Sequence, residues 1–475
     1  MKKKKTKNWF SKVKNRLHFD TKLNKKKAES IVACRENVKS HCFFPFIYFE
    51  IKQFKLAKKK LQIEQGLNLD PYKTRKIFYS CHSDSYIFSY YNELLLNKYE
   101  ELIMSEGLDC SIAYRHIDKN PKGTGKSNID FAAEAFKEIE QRKNCYAVGL
   151  DIKKFFDTLD WSILKKNMCK VLETEKLSDD WFQIYKILTD FHYIDLDEIL
   201  HCKYIKSNRR AFWNNDTHSF DKICSPKTFR NIIKNLPELI KNNKEQRGIP
   251  QGTNISGTLA NIYMLDFDIK IQKLINECSG YYRRYSDDIL IIVDTKEMLE
   301  KILQIVKEAI EDLNLKLSEE KTICCKFIEN ECFYEPCIFN PTVTSGGELQ
   351  YLGFTYNGKK ILMRDATLTR FWKDAIRHTR SMVLNNFYNN RKIPIKKIYG
   401  LYTHLANEES EYGNFYKYVR KAQKIFEKDF GFKEKVGIKK QLSNNWQILH
   451  KFLERLKKKH NIPDEQLKIP KDVNI

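Results

Sequence analysis

Two adjacent aspartates, Asp287 and Asp288, interrupt the apolar stretch Tyr282-Arg283-Arg284-Tyr285-Ser286-Asp287-Asp288-Ile289-Leu290-Ile291-Ile292-Val293, and no other feature limits the fold as tightly. Residues that demand burial on both sides force the acids onto the turn of a strand pair. A third carboxylate, Asp151, ends another apolar run, Tyr146-Ala147-Val148-Gly149-Leu150. Three acids on neighbouring strand ends, ~4 Å apart, would repel by about 4 kcal/mol per pair at an effective dielectric of roughly 20. A divalent cation makes such a cluster tolerable. Donors that are all oxygen favour Mg²⁺, with Mn²⁺ second, and two such ions can clamp the attacking and leaving oxygens of a phosphoryl displacement.

The formal charge of +24 over 475 residues is unevenly placed. Residues 1–27 carry 12 Lys/Arg against one acid, and residues 365–475 carry 24 against 12, so the body between them is close to neutral. Two basic ends on a neutral body suit contact with a polyanion at two places. The 13 cysteines form no regular framework and no Cys-x-x-Cys pair, which suggests buried thiols of a reducing, cytoplasmic setting rather than a zinc site. No apolar run reaches the ~18 residues needed to span a bilayer, and Met1–Lys5 leads into further charge rather than a signal peptide. A protein without membrane contact is expected.

Along the chain, residues 1–30 read as a basic tail. His41–Phe49 is an apolar anchor, and a Lys-rich helical stretch follows it. Residues 73–79 have strand composition, and 84–103 have helical spacing. A Gly/Pro loop at 119–127 precedes a helix over 128–141 capped by Ser127 or Asn128. The stretch 158–245 is polar and helical, and no chemistry attaches to it. A turn at Gly248–Gly252 opens onto helical spacing up to Asp268. After the acidic hairpin come a helix over 297–312, a strand near 322–327, and a hairpin over 349–362 turning at Asn357-Gly358. From Asp365 the pattern is helical, with Trp446, Leu449, Leu453 and Leu456 on one face.

The order of these signals resembles that of reverse transcriptases: Leu150-Asp151 with Phe155-Phe156, Arg247-Gly248-Ile249-Pro250-Gln251-Gly252, Tyr285-Ser286-Asp287-Asp288, Leu315-Lys316-Leu317 with Lys321, and Tyr351-Leu352-Gly353-Phe354. The resemblance implies an α+β, right-hand polymerase fold. Its parts would be fingers at 31–145, a palm at 146–364 with the helical insertion 158–245, and a basic helical thumb-like domain at 365–475. It implies Asp151, Asp287 and Asp288 as catalytic metal ligands for two Mg²⁺ ions, with the Ile152 carbonyl as a backbone ligand. Phe156 then matches the aromatic gate at the sugar 2′ position, or is plain core. Lys73 and Arg75 match the pair that grips the triphosphate, Gln251 and Gly252 the turn under the nucleotide, and Lys321 the lysine near the pyrophosphate. Ser256, Asn261, Arg115 and Lys126 are implied nucleic-acid contacts, with packing as the competing role. Tyr351, Leu352 and Gly353 match the primer grip.

Ser80–Asp84, Tyr114–Asp118, Lys126–Asp130 and Gly413–Val419 most resemble the abortive-infection and unknown-group reverse transcriptases of bacterial antiphage defence. Retron and group II intron enzymes look more distant: no maturase or endonuclease signature follows the palm, and the 158–245 spacer exceeds that of compact retron enzymes. The resemblance implies RNA-directed DNA synthesis from dNTPs, with a dedicated noncoding RNA as template, a DNA product, and self-association left open. Two other readings stand beside it: a template-independent, protein-primed polymerase, and an RNA-binding scaffold whose polymerase fold recruits a partner.

Overall fold

The computed structural model describes residues 9–54, 72–121, 123–214, 216–341, 346–404 and 414–469. The Lys-rich stretch after the apolar anchor, residues 1–8 of the tail and Gly413 lie outside them.

Strand order follows from two sheets. The fingers sheet runs β2-β1-β4-β7, with β1 Phe46–Phe54, β2 Tyr72–Tyr79, β4 His192–Asp195 and β7 Lys241–Asn242. The palm sheet runs β11-β10-β3-β9-β8, with β3 Asn144–Asp151, β8 Tyr281–Tyr285, β9 Asp288–Val293, β10 Ile323–Ile328 and β11 Glu331–Tyr334, every neighbour antiparallel. A small hairpin pairs β5 Trp213–Asn214 with β6 Ser219–Phe220.

The central palm strands are apolar throughout because both their faces are covered. On β9, Ile289, Ile291 and Val293 point into one core, packed under helices Leu265–Glu277 and Lys296–Asp312, while Leu290 and Ile292 point into another. On β3, Val148 and Leu150 join the first core, and Cys145 and Ala147 the second. Side chains that alternate between two buried faces leave no polar positions. The chain turns polar only where the sheet ends, at Asp151 and Asp287.

The stretch 158–245 carries the expected helices, Trp161–Val171, Asp179–Thr189, Leu196–His201 and Pro226–Asn235, but also β4 and β7, which complete the fingers sheet. Two strands of four and two residues are too short to show a period of two. The hairpin at 349–362 is a three-stranded meander of β12 Leu349–Tyr351, β13 Phe354–Tyr356 and β14 Ile361–Met363. Its first turn places Leu352 and Gly353 at φ 45° and 94°, and its second places Gly358 at φ 85°. Helices Asp365–Tyr388, Ile395–Tyr402, Asn414–Lys424 and Asn445–His460 follow. Leu449, Leu453 and Leu456 pack against Val383, Ile398 and Tyr399, with Trp446 at the edge.

Residues 9–20 are not a free tail. Leu17 and Phe19 are buried in the fingers core, and Val13 packs with Tyr86. Asp20 caps helix His82–Ser105 by accepting from the backbone N–H groups of His82 and Ser83, each at 2.8 Å, and meets the His82 ring at 2.9 Å. Burial alone would raise the Asp20 carboxyl, but the His82 and Ser83 bonds outweigh it and hold the group at about 2. A lowered carboxyl contributes stability that is complete above its unfolded value and is lost as pH falls through about 2. Asp20→Asn is therefore expected to cost about 2 kcal/mol at neutral pH. In urea titrations the gap to wild type should narrow steadily below pH ~4.

Candidate active site

Register brings the three acids together. Asp151, last residue of β3, lies directly opposite Asp288, first residue of β9. Ser286 and Asp287 form the tight link from β8, with Ser286 in the left-handed region at φ 61°. The backbone N–H of Ile152 donates to the Asp287 carbonyl at 3.1 Å, which ties the end of β3 to that turn. Ser318 steadies Asp151 twice: its N–H donates to the Asp151 carbonyl at 2.8 Å and its hydroxyl to Oδ2 at 3.0 Å. Lys321 forms an ion pair with the same carboxylate.

The electrostatics are those of crowded acids. Burial first, and then Asp287 and Asp151, push the Asp288 carboxyl up to about 7, while Arg364 and Lys321 draw it down. Asp287 is likewise raised, chiefly by burial and also by Asp151, with Lys321 and Lys73 opposing. Lys73 on β2 is lowered by burial and by the nearby Lys321 and Arg75, and it feels both Asp151 and Asp287. Lys73 therefore stands within electrostatic reach of the acids. Oxygen-only donors with raised proton affinity fit a hard divalent cation.

A cavity of about 530 Å³ is lined among others by Phe156, Tyr114, Gln251, Gly252 and Ser256. Phe156, half-buried on helix Phe155–Thr158, accepts at its carbonyl from the Ile249 N–H at 2.9 Å, so the Gly248–Gly252 turn is seated on that helix. Gly252 has φ 120°, and a Cβ there would lie 2.6 Å from the Phe78 carbonyl oxygen. The neighbouring Phe78 N–H donates to the Gln251 carbonyl at 2.9 Å. Only glycine lets the turn press this closely on β2.

Other expected contacts are occupied within the protein. Arg115 makes two bonds of 2.8 Å to Glu100 and a further one to the Ser111 carbonyl. Asn261 is fully buried and donates to the Ala113 carbonyl at 2.8 Å. The Ser256 hydroxyl donates to the Pro250 carbonyl at 2.6 Å. Lys126 pairs with Glu134 at 2.5 Å. Tyr351 is buried, while Leu352 and Gly353 form the meander's turn, their carbonyls accepting from the Asn128 side chain at 3.1 Å and the Arg364 N–H at 3.0 Å. Of these, Arg115 and Ser256 line the same cavity, each held on its wall by its protein partner.

Sequence reasoning missed the support beneath the acidic turn. Arg284, wholly buried, makes bonds of 2.8 and 2.5 Å to Asp268 and donates to the Ser286 carbonyl at 3.1 Å. Tyr114, at φ 60°, places its hydroxyl 3.2 Å from that of Ser286. Elsewhere, His18, Asp20 and Cys81 bring ligand-type atoms within 4.8 Å of one another, with Asp20 already engaged by His82 and Ser83.

Residues 110–356 match the family described as reverse transcriptase (RNA-dependent DNA polymerase). The chain belongs to the reverse transcriptase family. That family is one of nucleotidyltransferases, and the chain has a mixed helix-and-sheet polymerase fold. Solved structures similar to it include apo telomerase from Candida tropicalis, 12% identical over 81% of this chain and 58% of that one, TM-score 0.39. A form of that telomerase truncated from the C-terminal domain is 14% identical over 62% of this chain and 52% of that one, TM-score 0.38. Candida albicans telomerase in complex with a TWJ fragment of telomeric RNA is 11% identical over 92% and 61%, TM-score 0.38. The chain thus spans less than two thirds of the length of each of these structures. No curated protein matches it. Among its described residues, no helix is long and apolar enough to cross a membrane.

Proposed function

We propose that the chain is an RNA-directed DNA polymerase that adds dNTPs to a primer end, using two Mg²⁺ ions, or Mn²⁺ in their place, held by Asp151, Asp287, Asp288 and the Ile152 carbonyl. The observation that carries this is the convergence of three acids from positions 151, 287 and 288 on adjoining strand ends, faced by Lys73 from another sheet. When bound, the ions supply charge neutralisation at the reacting phosphate. The protein's part is positioning. Lys73 and Arg75 on β2 would hold the triphosphate, Lys321 would stand by the departing pyrophosphate, and the Gln251–Gly252 turn would carry the base and sugar. Phe156 on the cavity wall would press on the sugar's 2′ position. Leu352 and Gly353 would seat the primer, and Tyr351, Ser256, Asn261, Arg115 and Lys126 would keep that surface in shape.

Phe156→Ala is expected to weaken discrimination against ribonucleotides by about 100-fold, the order that an apolar wall imposes on an added hydroxyl. The ratio of kcat/KM for dNTP and rNTP measures it. An unchanged ratio would make Phe156 plain core.

The resemblance to abortive-infection and unknown-group enzymes supports a role in bacterial antiviral defence with a noncoding RNA template. The purified chain, given an RNA template, a DNA primer, dNTPs and Mg²⁺, should yield complementary DNA. Sequencing the copurified nucleic acid tests the template: one recurring RNA with its DNA copy supports templated synthesis, whereas homopolymer joined to the protein would overturn it. Phage protection by a variant blocked at the aspartates would favour the scaffold role.

A further inference from the structure

The N-terminal segment does more than pack on the fingers; it reaches the nucleotide cleft. Two bonds fix its path around Arg16: the Arg16 N–H donates to the His82 ring at 3.4 Å, and the Tyr79 hydroxyl donates to the Leu17 carbonyl at 2.8 Å. Held there, the Arg16 guanidinium lies over the Tyr79 ring at 5.2 Å, and Nη1 donates to the Gly252 carbonyl at 3.4 Å. After burial, Tyr79 and another cation, Arg209, act on it electrostatically. Among the described residues no carboxylate forms an ion pair with it. Lys12, one turn of chain earlier, lines the same cavity as Phe156, Gln251 and Gly252, and is 3.8 Å from Glu93.

The Gln251–Gly252 turn is thus gripped from two sides. β2 holds it through Phe78, on the face where a Cβ on Gly252 would meet backbone. Arg16 holds the Gly252 carbonyl from the N-terminal segment. A half-buried guanidinium with no carboxylate pair among the described residues is costly to keep, and here it serves a backbone carbonyl at the wall of the cleft.

We propose that Arg16 is a positioning residue for the incoming nucleotide: segment Trp9–Asp20 forms a fixed wall of the cleft, and Arg16 sets the Gln251–Gly252 turn on which the nucleotide rests. The inference rests on the polymerase reading of that turn.

The test compares wild type, Arg16→Met and Arg16→Lys for binding of a fluorescent dNTP and, separately, for steady-state primer extension. Arg16→Met should weaken nucleotide binding and raise the dNTP KM by about tenfold, the value of one charge-assisted hydrogen bond, with kcat changed less than roughly threefold. Arg16→Lys, which keeps a donor and the charge, should recover a large part of that loss. A folded Arg16→Met with wild-type nucleotide affinity, or one that lowers only thermal stability, overturns the proposal. Should Arg16→Met not fold, Arg16→Gln takes its place, and equal affinity of the Gln and Lys variants to wild type is the overturning result. Failure of the polymerase reading shows separately, as a wild type that binds dNTP yet extends no primer; a wild type that binds no dNTP removes both.

Discussion

Replacing Asp287 and Asp288 together by alanine is expected to lower dNTP incorporation by more than roughly 10³-fold while leaving the protein folded. The two carboxylates do not hold the fold together. Both are pushed upward, by burial first and then by Asp151, and Asp288 by Asp287 as well. An acid whose folded value lies at about 7 contributes stability that is complete below its unfolded value and is lost as pH rises through about 7. Keeping Asp288 ionised without a cation costs on the order of 4 kcal/mol. In metal-free buffer the double variant should therefore melt no lower than wild type at pH 8, and wild type should gain stability when Mg²⁺ is added while the variant does not. Primer extension and thermal melts with and without Mg²⁺ measure both halves. Incorporation within tenfold of wild type by a pure, folded double variant would sink the assignment of these acids.

What the sequence disclosed depended on how many faces of an element are buried. The strands around Asp151 and Asp288 were legible because both faces of β3 and β9 are covered, giving unbroken apolar runs that stop where the acids begin. The aromatic and glycine positions near them, Phe156 and Gly252, were legible as motif members. The strands β4 and β7 were not, because four and two residues carry no period. The N-terminal segment was hidden by its own lysines: Val13, Leu17 and Phe19 are isolated among charges, yet all three are buried. Polar residues near the motifs are hard to assign for a related reason. Arg115, Ser256 and Asn261 have the right types for nucleic-acid contact, but type does not tell whether a donor faces a cleft or a neighbouring carbonyl. The structure gives all three to protein partners.

Arg284→Met is expected to cost 3–5 kcal/mol, roughly the penalty for removing one member of a buried ion pair. The reason lies in what remains. Asp268 is 1% exposed and loses both guanidinium bonds, at 2.8 and 2.5 Å, keeping the Tyr282 hydroxyl at 2.7 Å. A buried charge with one neutral donor is poorly compensated. Replacing both partners, as Arg284→Met with Asp268→Leu, should recover most of that loss, since apolar groups of similar volume replace buried pairs at little cost, and leave about 1–3 kcal/mol for the Tyr282 hydroxyl that loses its acceptor. Activity should not follow. Arg284 also donates to the Ser286 carbonyl at 3.1 Å and meets Ser111 at 3.1 Å, so it braces the one residue of the acidic turn held at positive φ. With that brace gone Asp287 loses its fixed place, and incorporation should stay at least tenfold down in the stable double variant. Urea melts and primer extension on the same preparations separate the two roles. Recovery of both together would mean that Arg284 supports the fold alone, and that the turn holds its shape without it.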